Sequence, residues 1–190
     1  MVAASVLAAA CSDVISLATG RARSDLAMLL LKSAAPAPVN ASFYASNSRS
    51  TVRNFSHPDA SLTPYLRVTF PANSLATVSG GTATSTDSVL VTVQHMAGAY
   101  GFTLSVAPAA TFSGSNPPTV TFFYGSYGDF TASRAGSRYG SSTEYANALT
   151  LWHEQLVDRY DQVTGSGAAG TDAVGGYIQS PGTFLAAAPK

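Results

Sequence analysis

Three histidines, His57, His95 and His153, are the side chains of this sequence whose ordinary pKa lies near neutrality. Proton transfer or metal binding would start from them. His153-Glu154 opens like the His-Glu-x-x-His zinc helix. The chain continues Gln155-Leu156-Val157, so the second imidazole of that motif is missing. His153 therefore reads as a polar strand end or turn. No serine stands in Gly-x-Ser-x-Gly; Gly125-Ser-Tyr-Gly128 and Gly136-Ser-Arg-Tyr-Gly140 lack the strand–Ser–helix pattern of a nucleophile elbow. Asp129, Asp158, Asp161 and Asp172 are calcium candidates at loop ends, but no Asp-x-Asp-x-Asp-Gly loop gathers them. The single cysteine, Cys11, excludes a disulfide within the chain and a Cys-rich zinc site. In its Ala-rich surroundings it reads as a small buried apolar residue. The alternative is a lipoprotein site, Leu7-Ala-Ala-Ala-Cys11, with no Lys or Arg before it. A nucleophile, base and orienter cannot be assembled from these residues. The expectation is no enzyme, no cofactor and no metal.

The elements that would position any site are strands. Val89, Val91 and Val93 recur with period two in Ser88–His95, so they share one face of a strand. Leu66, Val68 and Phe70 do the same in Tyr65–Phe70. Phe102, Leu104 and Val106 repeat it in Gly101–Ala107, as do Val120, Phe122 and Tyr124 in Thr119–Tyr127. One apolar and one polar face is the habit of antiparallel sheets. Pro71, Gly80-Gly81, Gly98, Gly114 and Pro117-Pro118 separate the runs. Ala41–Ala45 and Ser50–Phe55 read as edge strands. Ala148–Trp152, Gly175–Ser180 and Gly182–Ala186 close the set.

Residues 1–38 read as an N-terminal helical segment ending in an Ala-Pro connector, and 39–190 as the β domain. Val2–Ala18 is Ala-rich, and Ser24-Asp25 would cap a helix over Leu26–Ser33 with Leu26, Leu29 and Leu30 on one face. Asn73–Asp87 and Pro108–Pro118 read as exposed loops. Gly125–Tyr145 is rich in Gly, Ser, Tyr and Arg. It is either a long solvated loop or an adaptable contact surface carrying Tyr124, Tyr127, Arg134, Arg138 and Tyr139, because tyrosine adds rigid area where Ser and Gly adapt.

Charged residues make up only 11%, and the net charge is zero. Long-range attraction to nucleic acid or to an anionic membrane is therefore not expected. No apolar run reaches the length of a membrane-spanning helix. A Ser/Thr/Ala-rich surface with so little charge needs another source of solubility, either glycans or burial among other protein chains. Two sequons, Asn40-Ala-Ser42 and Asn54-Phe-Ser56, are glycosylation candidates.

The order of elements, with Val68-Thr-Phe-Pro-Ala-Asn-Ser-Leu75, then Leu149-Thr-Leu-Trp152 with Asp158-Arg-Tyr160, then Gln179-Ser-Pro-Gly-Thr-Phe-Leu185, resembles the autoproteolysis-inducing (GAIN/GPS) region of adhesion receptors, polycystin-type proteins and algal surface proteins. The Pro-Ala-x-x-Leu stretch is similar also to ZU5-type sandwiches. The GAIN resemblance implies a helical segment before a β-sandwich. The family's paired cysteines are absent, and its His-Leu-Ser/Thr cleavage tripeptide is replaced by Ser180, Pro181 and Gly182, or by Pro181 to Thr183. It thus implies a sandwich that does not cut itself. The expectation is a mainly-β, antiparallel β-sandwich with a short N-terminal helical segment. It would serve as a non-catalytic structural or adhesive module of an extracellular or cell-surface assembly. A coat or decoration protein of a virus or phage is the alternative, with the virion as its location; a secreted hydrolase is the third.

Overall fold

Period-two alternation becomes burial. Val89, Val91 and Val93 are fully buried, while Ser88 and Gln94 of the same strand face solvent. The computed structural model describes residues 20–190; the helix expected over Val2–Ala18 and Cys11 lie outside them. The described chain is mainly β, with antiparallel pairing. Its strands are β1 (Arg21–Ala22), β2 (Leu26–Met28), β3 (Leu30–Leu31), β4 (Ala41–Ser46), β5 (Thr51–Ser56), β6 (Pro64–Phe70), β7 (Leu75–Val78), β8 (Gly81–Thr82) and β9 (Ser88–His95). Next come β10 (Gly101–Ala107), β11 (Ala110–Phe112), β12 (Thr119–Phe123) and β13 (Gly128–Asp129), then helices α1 (Phe130–Arg134) and α2 (Ser142–Asn147). The chain ends with β14 (Thr150–Leu156), β15 (Arg159–Gln162), β16 (Gly167–Ala168), β17 (Ala173–Tyr177) and β18 (Gly182–Pro189).

The larger sheet runs β1-β15-β14-β18-β10-β9-β4, with β2 alongside β18. A five-stranded sheet runs β16-β17-β12-β6-β5. Their inner faces meet through aromatic side chains. Phe43 of β4 lies 6.4 Å from Phe55 of β5, and Phe102 of β10 lies 5.6 Å from Phe122 of β12. The strand β18 is apolar on both sides because both are covered. Phe184, Ala186 and Ala188 enter the main core, while Leu185 and Ala187 join Leu26, Trp152 and Tyr160 in a second cluster. Trp152 settles its polar edge there by donating Nε1–H to the Ala187 carbonyl at 3.1 Å.

Three expectations are corrected. Leu26–Ser33 is not a helix. It begins with a single 3₁₀ turn, Arg23–Asp25, and continues as the extended β2 and β3. The leucine spacing fitted a helical face, yet Leu26, Ala27 and Leu29 are all buried. A short, wholly apolar run carries no usable period, and pairing of Leu26–Met28 with Ala187–Pro189 decides its conformation. Asn73–Asp87 is not simply a loop. It holds the hairpin β7–β8, joined through Ser79-Gly80 with φ of 51° and 81° at the turn, and β11 pairs beside it. Gly125–Tyr145 is likewise not one solvated loop. It holds β13, which pairs with β3, and both short helices. Asp129 caps α1 by accepting from the Ala132 N–H at 2.9 Å. A capping box between Ser141 and Glu144 starts α2.

Candidate functional site: an open groove between strand ends

The two ends of the five-stranded sheet are built differently. One end gathers Tyr65 from the start of β6, His57 after β5, His95 from the end of β9, Tyr100 before β10 and Phe122 of β12. Tyr65 and Tyr100 stack at 5.1 Å, and both histidine rings meet Tyr65 edge-on, at 5.2 Å and 4.9 Å. The Tyr65 hydroxyl donates toward the carbonyls of Ala99 and Gly101, at 3.3 and 3.1 Å. A carbonyl only accepts, so the 2.7 Å contact between His57 Nδ1 and Pro36 O places the imidazole proton on Nδ1. By the same logic His95 donates from Nε2 to Val39 O at 3.1 Å. His57 Nε2, His95 Nδ1 and the Tyr100 hydroxyl then remain buried without a protein partner. Burial pushes His95 down to about 4, helped by His57, and raises the Tyr65 and Tyr100 hydroxyls. At the rim, Tyr127 donates to Asp59 at 2.8 Å. Hydrogen bonds from Thr63 above all, with those from Tyr127 and Ser61, hold the Asp59 carboxyl at about 2.

The other end is open. It lies where β6 and β17 finish and β12 begins, between Pro71, Tyr177 and Thr119 on one side and His153, Asp161 and Gln162 on the other. Two cavities of about 510 and 630 Å³ meet there, sharing Thr164 and Gln179 as a common wall. Gln179 donates to the Thr164 hydroxyl at 3.3 Å. Three of the four glutamines of the chain, Gln155, Gln162 and Gln179, line the first cavity. Among the described residues, no lysine or arginine lines either one.

His153 forms part of this wall and is held from three sides. Its ring stacks on Phe184 at 4.3 Å, nearly parallel. Gln155 donates an amide N–H to Nδ1 at 2.8 Å, which leaves the proton on Nε2. That nitrogen faces the Pro181–Gly182 backbone without a well-formed hydrogen bond. A Cβ at position 182 would collide with Nε2, so a larger residue there requires His153 to shift, and φ of +150° also favours glycine. Burial lowers the pKa of His153. The His-Glu start of a zinc motif is thus a strand segment within β14, with the imidazole packed on an aromatic ring. Among the described residues, no three His, Cys, Asp or Glu side chains converge to hold a metal ion. No helix of the described chain is long and apolar enough to cross a membrane.

The residues singled out as a contact surface are drawn largely into internal contacts. Tyr124 is buried and meets Phe130 edge-on at 5.6 Å. Tyr139 donates its hydroxyl to the Pro189 carbonyl at 2.8 Å, and Arg134 reaches the carbonyls of Tyr139 and Gly140. Arg138 is exposed and lies over the Tyr139 ring at 5.4 Å. Both sequon asparagines are exposed. Asn40 precedes the outermost strand β4 and accepts from the His95 N–H at 2.8 Å. Asn54 lies on β5, the outer strand of the other sheet, and accepts from Arg67 at 2.9 Å. Thr183, at the start of β18, shares a hydroxyl hydrogen bond of 3.2 Å with Thr103. The groove residues Gln162, Thr164, Gln179 and Tyr177 were missed. Their one sequence signal was the clustering of glutamines after position 150 in a chain that otherwise has a single one, Gln94.

No protein-family model matches the chain, and no curated protein matches it either.

Proposed function

We propose that this chain is a non-catalytic β-sandwich module of an extracellular or cell-surface assembly, and that it works by contact through its open end. The carrying observation is the groove itself: a broad cavity walled mostly by amide and hydroxyl side chains, with the Asp161 carboxylate among them and no nucleophile–base–orienter arrangement among its lining residues. The exposed Asn40 and Asn54 support display outside the cell, since both acceptors are accessible on the fold. The GAIN/GPS-like reading, degenerate and without the cleavage tripeptide, fits this role as a structural or adhesive unit joined to other protein chains.

The test is glycopeptide mapping and localisation of protein from its native source. Hexose or N-acetylhexosamine on Asn40 or Asn54, at the cell surface, is the expected result. Unmodified asparagines in an intracellular protein would contradict it, and recovery from virions would favour a coat or decoration role instead.

A further inference from the structure

We propose that the open groove binds a neutral oligosaccharide. This rests on the reading of the chain as a contact module and names the chemistry of what it contacts. The lining selects the class. Gln162, Gln179, Asn116 and Thr164 each offer donors and acceptors, and Asp161 adds a carboxylate that accepts from hydroxyl groups. A ligand matched to them carries many hydroxyls, each both donor and acceptor. No cation lines the groove among the described residues, so phosphate, sulfate and uronate ligands find no counter-charge.

A platform accompanies the hydrogen-bonding groups. Tyr177 is 44% exposed where the two cavities meet, beside Gln179 and Thr164. Its ring packs against Gly165, where a Cβ would come within 2.5 Å of a ring carbon and φ is +68°. The ring is therefore fixed from one side while much of its surface stays open. An amphipathic ring flanked by amide side chains suits a sugar, which offers a C–H face and an equatorial rim of hydroxyls. An extended peptide is disfavoured. Strand addition needs a free edge of N–H and C=O groups, whereas this groove is made of strand ends and loops. His153, 6% exposed and anchored on Phe184, keeps the wall formed by Gln155 in place.

The experiment places the full chain on an array of immobilised neutral glucans, mannans, galactans and xylans, with anionic glycans and peptides alongside. Affinity for the strongest neutral series is then measured for variants shown by circular dichroism to be folded. The expected result is binding to a neutral series, weakened about tenfold or more by Tyr177→Ala and by Gln179→Ala, and retained by Tyr177→Phe, which keeps the ring. Gln162→Ala, at a position exposed to solvent, guards against a folding artefact. Binding to no neutral glycan, binding only to anionic glycans or peptides, or neutral binding untouched by all groove variants would each overturn the proposal. Glycan mapping at Asn40 and Asn54 reads the underlying function separately. A glycosylated surface protein that binds no sugar removes this proposal alone, whereas a bare intracellular protein removes the display reading.

Discussion

The two ends of the five-stranded sheet use similar ingredients to opposite effect, although His95 and His153, which face them, share one cross-strand row of the larger sheet through Phe102 and Phe184. Each holds a buried histidine, His57 or His153, against an aromatic ring, and each keeps polar atoms without protein partners. At the closed end the histidines lie among Tyr65, Tyr100 and Phe122, all buried, and the aromatic rings close the space between the sheets. At the open end His153 is set into a wall of glutamine and threonine that faces solvent. A histidine's role here follows from what surrounds it. Aromatic neighbours make the closed end a support, and solvent-facing amides make the open end a surface.

The contrast breaks most visibly under truncation. Phe122→Ala removes a fully buried ring touching Tyr65, Tyr100 and Phe102, and is expected to cost about 3–5 kcal/mol in urea unfolding. Tyr177→Ala, at a half-exposed ring, is expected to cost about 1 kcal/mol or less. Equal losses would erase the distinction between the ends. Gly182→Ala comes next. Its Cβ forces His153 off Phe184, at about 1–3 kcal/mol by the same assay, and the His153 ring signals should shift in NMR spectra. Only the groove wall should move, leaving the signals of Tyr65 and Tyr100 in place.

Acid sharpens the comparison further. An unfolded histidine titrates near 6.5, whereas His95 in the fold is pushed down to about 4. Below pH 6.5 the unfolded chain therefore takes up a proton that the fold refuses until about 4. Stability from this group is complete above 6.5 and is lost as the pH falls through that window. Because His95 is partly exposed, the loss is about 1–2 kcal/mol rather than the full value. His153 contributes in the same direction. Urea unfolding at pH 7, 5.5 and 4 should show the decline, and His95→Gln should flatten it. The smallest effect belongs to Tyr127→Phe. Losing the hydroxyl raises the Asp59 carboxyl part of the way from about 2 toward its ordinary 3.8, because the bonds from Thr63 remain. Carboxyl titration by NMR reads this directly.

Much of the β framework was legible in the sequence. The alternation runs through all eight residues of Ser88–His95 and all five of Thr119–Phe123, and a buried face repeats clearly over those lengths. What escaped was short or doubly buried. The run Leu26–Leu31 looked helical because nearly every residue is apolar, and its pairing with β18 is fixed by residues some 160 positions away. The two helices are under two turns each, too short for a period. Their caps, Asp129 and the Ser141-x-x-Glu144 box, were readable signals overlooked inside a Gly/Ser-rich stretch. The groove was least legible. Its residues come from β11, β12, β14, β15, β17 and the segments between strands, and only the fold brings Gln162, Thr164 and Gln179 beside Asn116 and Tyr177. Of the expected contact residues, Tyr124 follows directly on β12, continues its alternating apolar series and turns inward with Phe122.

Amide hydrogen–deuterium exchange, followed segment by segment at neutral pH, tests the division between the ends most directly. Slow exchange is expected around Tyr65, Tyr100–Leu104 and Phe122, approaching the rate of global unfolding. Fast exchange is expected across Thr164–Gly170 and Gln179–Pro181, where the groove wall meets solvent. Equal protection at both ends, or faster exchange around Tyr65 and Tyr100 than around Thr164, would contradict that division.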